Sequence, residues 1–189
     1  MSLFNRLFKK DKKREDGNND NSSMQTQDKI QIKTAFATFT YINYPNEVGY
    51  EADLEWYEMP EDEEGRLSYI PVGCYIDCNT PETTEASLCL DRLTRLFEDK
   101  YGTDTRVKLA VANYFADENG LIKTSYGEMI SKEELMSELE IRFISVYRDG
   151  KTTYSLYHVS LDFDGDIHII FNEDGSVAVM GDKEFYNFG

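Results

Sequence analysis

Two histidines, one tryptophan, four prolines and three cysteines are all that 189 residues contain of those types, and each scarcity removes a class of chemistry. An odd number of cysteines argues against a disulfide framework. Cys74 and Cys78 fall in a segment with strand character, where four residues span about 13 Å, beyond the roughly 7 Å that a disulfide tolerates. A single Cys-x₃-Cys without a matching second pair does not make a zinc site, so the thiols read as reduced and structural. No apolar run approaches the ~20 residues of a membrane span, and the start lacks the apolar stretch and small-residue cleavage site of a secretory leader. A cytoplasmic protein is expected, with contact at the inner face of the membrane as a variant of that location. Nucleophile elbows, phosphate-binding loops and His-Glu-x-x-His helices are also missing. No cofactor or metal is expected, and catalysis has no anchor in a motif.

Bases are scarce too, twenty against thirty-six acids for a formal charge of −16, and they are unevenly placed. Residues 1–14 hold six bases and one acid, about +5, which leaves about −21 on the remainder. Within that start Leu3, Phe4, Leu7 and Phe8 share one side of a helix, with Arg6, Lys9, Lys10 and Lys13 towards the other. Residues 1–10 thus read as a basic amphipathic helix able to make weak contact with an anionic membrane. Residues 11–28 carry almost no apolar side chains and read as a disordered linker. Residues 29–189 have the length of one domain, and thirteen tyrosines and eleven phenylalanines to build its core.

Ile30, Ile32, Phe36, Phe39 and Tyr41 alternate with a change of phase near residues 35–37, which predicts one long strand with a bulge. After a turn at 44–49, Tyr50, Ala52, Leu54 and Trp56 alternate with Glu51, Asp53, Glu55 and Tyr57, so a second strand has one core face and one acidic face. A third runs from Leu67 to Cys78, with Pro71 implying an edge or a bulge. Thr80-Pro81-Glu82 starts a helix that stops at Gly102, and a second helix runs from about Asp104 to near Gly120. The capping box Ser131-Lys-Glu-Glu134 opens a third, with Ile130 and Leu135 placed as a hydrophobic staple. Four strands follow: Ile141 to Tyr147, Thr152 to Leu161 across an Asp149-Gly150 hairpin, Asp166 to Phe171, and Ser176 to Met180. Segregated runs of this kind predict an α+β fold: largely antiparallel, about seven strands, about three helices inserted after the third.

Nine acids and no base lie between Glu47 and Glu64. Glu51, Asp53 and Glu55, with Tyr57 beside them, form the candidate partner-binding surface, since complementary charge speeds encounter and aromatic side chains anchor interfaces. A net charge of about −17 over residues 29–189 repels phosphate, so no nucleic acid is expected. Asp162-Phe-Asp-Gly-Asp166 fails the calcium-loop template, because its glycine precedes the third acid and no glutamate stands at the twelfth position. It reads as a tight polar turn. Asp164, Asp166 and His168 are the one cluster that an enzyme could use.

Residues 130–150, with their capping box, strand and hairpin, followed by Leu161-Asp-Phe-Asp-Gly-Asp-Ile-His-Ile-Ile-Phe171, resemble small bacterial families of domains of unknown function, some of whose relatives look like immunity proteins encoded near secreted toxins. Those families often have a histidine after the glycine of that turn, where this chain has Asp166. The resemblance covers roughly residues 80–181, implies a fold family and assigns no catalytic residue. The reading that follows is a non-catalytic bacterial protein of the immunity type that neutralises a basic partner protein through its acidic strand face. A peripheral membrane or assembly protein tethered by residues 1–14, or an enzyme, are the alternatives.

Overall fold

A computed structural model describes residues 31–44, 47–78, 84–161 and 165–187. The membrane-contact candidates Leu3, Phe4, Leu7, Phe8, Lys9 and Lys10, the linker, the Thr80-Pro81-Glu82 helix start and Asp164 lie outside them. The elements are β1 (Gln31–Lys33), β2 (Thr38–Tyr44), β3 (Glu47–Met59), β4 (Ser68–Ile76), α1 (Thr84–Glu98), α2 (Lys100–Phe115), β5 (Ile122–Lys123) and β6 (Met129–Ile130). They continue with α3 (Lys132–Glu138), β7 (Glu140–Val146), β8 (Thr152–Tyr157), β9 (Ile167–Phe171), β10 (Val177–Gly181) and α4 (Asp182–Asn187). Eight strands form one sheet in the order β1-β2-β3-β4-β7-β8-β9-β10, and β5 pairs only with β6. The fold is α+β. Every neighbouring pair is antiparallel except β4 and β7, which are joined by the helical crossover that a parallel pair requires.

The alternation of side chains along each strand separates the two faces of the sheet. Tyr50, Leu54, Val72, Cys74, Ile76, Ile144, Tyr154, Leu156, Ile167 and Ile169 fall on one face and belong to a single buried core with Ala86, Cys89 and Leu93 of α1, Val107 and Val111 of α2, and Leu135 of α3. The three cysteines are free and buried in or beside that core. Burial pushes the Cys78 thiol up to about 11, so these thiols are poor nucleophiles.

Several boundaries differ from the sequence reading for local reasons. The expected long first strand is the hairpin β1–β2, paired Lys33 to Thr38. The Thr34 hydroxyl donates to the Ala37 carbonyl and accepts from the Phe36 and Ala37 amides, closing a turn without glycine, proline or asparagine. Gly102 does not end a helix. It sits in the first turn of α2, where a Cβ would meet the Asp99 carboxylate, and α1 breaks at Asp99 instead. Residues 117–120 form a turn after α2, held by the Asp117 carboxylate on the Asn119 and Leu121 amides. Pro71 sits in a central strand, yet at a place where its missing N–H costs nothing. The β3–β4 register shifts opposite it, between Glu55 and Tyr57, and the β4–β7 ladder begins only at Gly73. The Ser131–Glu134 capping box forms as the spacing predicts, with the Glu134 carboxylate accepting from the Ser131 amide at 2.7 Å.

Candidate functional site on the outer sheet face

The face of the sheet turned away from α1, α2 and α3 carries the acidic row. On β3, Glu51 is half-buried and Asp53 and Glu55 are exposed. They pair across to Tyr75, Gly73 and Pro71 of β4, so no base stands opposite any of them. Asp53 and Glu55 make no hydrogen bond or ion pair among the described residues. Further along β3, Glu58 accepts from the Tyr101 hydroxyl at 2.9 Å and from Lys100 at 3.3 Å. Those bonds, Tyr101 first, hold its carboxyl below the usual range.

Tyr57 does not lie on this face. The bulge at Trp56 adds one residue to β3, which turns Tyr57 to the helix side. There its hydroxyl donates to Asp104 Oδ1 at 2.7 Å and accepts from the Ile141 amide at 2.8 Å, while Lys108 binds Asp104 Oδ2 at 2.9 Å. Burial, followed by the Asp104 charge, drives its phenol far above the ordinary value. A side chain so engaged is a strut between β3, α2 and β7, and it cannot anchor a partner on the opposite face.

Other aromatic residues occupy the outer face in its place. The register aligns Asp53, Gly73, Phe143, Ser155, His168 and Met180 in one row across six strands, with Glu51, Tyr75, Ser145, Thr153, Ile170 and Ala178 in the next. A Cβ at Gly73 would stand 2.5 Å from the Phe143 ring, and one at Gly49 2.5 Å from the Tyr75 ring. Both rings therefore pack against a glycine of the neighbouring strand on their β3 side, and the Tyr75 hydroxyl donates to the Val48 carbonyl at 3.0 Å. Tyr147 meets Tyr75 edge to face, and the exposed Tyr157 ring takes the Arg142 guanidinium at 5.1 Å. The outcome is an aromatic floor bordered on its β3 side by carboxylates.

The far end of the same row holds the histidine cluster. His168 is 1% exposed and Ser155, directly opposite it on β8, is 8% exposed. The Ser155 hydroxyl lies 2.8 Å from His168 Nδ1, and Asp182 Oδ1 lies 2.6 Å from Nε2. A carboxylate only accepts, so Nε2 carries the proton it gives to Asp182. Phe185 of α4 stacks on the imidazole at 4.0 Å and 4°. Asp166 is brought close as well: burial and then the Asp182 charge raise its carboxyl, while the charge of His168 draws it down.

A serine, a histidine and an aspartate in line suggest a hydrolytic relay, but the placement is wrong for one. The serine is the buried member and the Asp182 side chain, 38% exposed, is the outer one. Ser155 also sits in mid-strand between two paired neighbours, where the backbone amides already serve the ladder and none is left to hold an oxyanion. Geometrically the cluster is a clamp that fastens α4 to the sheet. Alternation sets Ser155 and His168 on the side of their strands opposite Tyr154, Leu156, Ile167 and Ile169, and the β8–β9 register then pairs the serine with His168. Asp182 and Phe185 follow the last strand and carry no pattern that points back to it.

No three histidine, cysteine, aspartate or glutamate side chains converge as a metal site among the described residues, and no helix among them is long and apolar enough to cross a membrane. The chain matches no protein-family model, no curated protein and no solved structure.

Proposed function

We propose that the chain is a non-catalytic protein-binding module of the immunity type, whose outer sheet face docks a basic partner protein. The observation that carries this reading is the pair Asp53 and Glu55, exposed and without an ion pair or hydrogen bond among the described residues, at the border of the floor made by Tyr75 and Phe143. Unpaired carboxylates raise the rate of encounter with a cationic surface; Tyr75, 4% exposed, supports the floor from beneath, and the part-exposed Phe143 and exposed Tyr157 rings contribute contact area. Glu51 belongs to the same row, but its half-buried position suits it to supporting the neighbouring acids. Tyr57 leaves the contact set, and Phe143 and Tyr157 enter it.

The experiment is co-purification from the native cell, comparing the wild-type chain with an Asp53→Lys, Glu55→Lys variant. Both positions are exposed, so the variant folds. Loss of a basic partner at low salt, with wild-type binding that weakens as salt rises, supports the reading. Retention of the same partner at the same salt sensitivity overturns it.

A further inference from the structure

On the core side of the sheet, remote from the acidic row, a cavity of about 140 Å³ lies between α1, α2 and the strands β8 and β9. Its polar lining is Arg92 of α1, Thr103 and Arg106 of α2, and Thr152 and Tyr154 of β8. In a chain of formal charge −16, two guanidinium groups at one cavity stand out, and their partners define what is left over. Arg106 gives Nη1 to Asp99 Oδ2 at 2.8 Å and Nη2 to the Thr103 hydroxyl at 2.9 Å, so its charge is matched. Arg92 gives Nη1 to the Tyr147 carbonyl at 3.2 Å and has no ion pair among the described residues. The nearby Asp149 is engaged by Lys151 at 2.9 Å. Arg92 thus has no ion pair among the described residues, although the Asp149 charge acts on it, and each guanidinium, with five N–H groups, keeps donors in reserve.

Tyr154 supplies the second observation. It is 3% exposed, yet its hydroxyl has no hydrogen-bond partner among the described residues. That oxygen is not among the polar atoms fully closed off from solvent, and its residue lines the cavity shared with Arg92 and Arg106. Burial keeps its phenol protonated, ready to donate. The remaining wall is apolar, with Leu96, Val107 and the Phe171 ring, the last edge-on to Tyr154 at 5.6 Å. A cavity of this size matches a benzene-sized body.

We infer that this cavity binds a small organic monocarboxylate, its carboxylate on Arg92, Arg106 and the Tyr154 hydroxyl and its compact apolar body against Leu96, Val107 and Phe171. The inference is independent of the docking surface on the other face.

Titration calorimetry on the full chain tests it with benzoate as the probe, benzyl alcohol as the neutral ring of similar size, and inorganic phosphate as the anion without an apolar body. Benzoate saturates the wild-type protein one to one and binds at least about tenfold more tightly than either comparison probe. Arg92→Met and Arg106→Met each weaken benzoate by about tenfold or more. Tyr154→Phe, which keeps the ring and the fold, weakens it several-fold and serves if an arginine variant does not fold. Equal benzoate affinity in wild type and Tyr154→Phe, benzyl alcohol or phosphate binding as tightly as benzoate, or no saturation by benzoate would each overturn the assignment.

Discussion

The Tyr57 hydroxyl is shared between Asp104 Oδ1 at 2.7 Å and the Ile141 amide at 2.8 Å, so a single oxygen joins the third strand to the second helix and to the strand after the helical crossover. Tyr57→Phe keeps the ring and removes only that link. It leaves the buried Ile141 N–H without its acceptor, and the expected loss is about 1–3 kcal/mol, read from urea unfolding at neutral pH. Partner binding at the outer face stays unchanged in the same variant, because Tyr57 lies on the other side of the sheet.

Gly73 and Phe143 are coupled by shape. A methyl group at Gly73 would collide with the Phe143 ring, so Gly73→Ala lifts the ring off the sheet and costs about 1–3 kcal/mol. Phe143→Leu in the same chain removes the collision. The double variant is therefore more stable than the sum of the single losses predicts, a non-additivity measurable in a double-mutant cycle.

Asp166 gives a pH dependence of defined sign. Burial and Asp182 raise its carboxyl above the ordinary value of 3.8, so the folded state binds its proton more tightly than the unfolded state does. Its favourable contribution is complete below 3.8 and is lost as pH rises through the raised folded value. Asp166→Asn removes that loss. The variant shows a higher Tm than wild type at neutral pH, and its advantage vanishes below the ordinary value, which thermal melts across the acid range will read.

Phe185 and Asp182 hold α4 onto His168. Phe185→Ala strips the stacked ring from the imidazole, with an expected loss of about 1–2 kcal/mol. The change is local. Hydrogen exchange speeds up in α4 and around His168, while the amides of β3 and β4 keep their protection; uniform acceleration across the sheet would contradict the clamp.

Much of the architecture was legible because it depends on short-range periodicity. The alternation from Tyr50 to Glu55, the Ser131–Glu134 capping box and the Asp149-Gly150 turn are each settled by neighbours a few residues apart, and each is found where the pattern places it. The departures came where one side chain's own hydrogen bond, a close backbone approach or a single inserted residue changes the local geometry without marking the residue pattern. Thr34 makes a turn with its own hydroxyl and mimics a strand bulge in sequence. Gly102 resembles a helix stop, but it serves as the gap into which Asp99 fits. The bulge at Trp56 moved Tyr57 to the opposite face of the sheet, because one inserted residue inverts every later side chain in a strand of period two.

The site divides along the same line. By itself the sequence determined that Glu51, Asp53 and Glu55 share one face of a strand and that the chain is strongly acidic, since alternation and charge are properties of adjacent residues. Only the tertiary structure decided which rings lie beside those acids, that His168 is enclosed by Ser155, Asp182 and Phe185, and that Arg92, Arg106 and Tyr154 meet at one cavity. Those groups come from segments tens of residues apart. Their meeting depends on the order in which eight strands pair and on which face the helices cover, and neither is encoded in the spacing of neighbours.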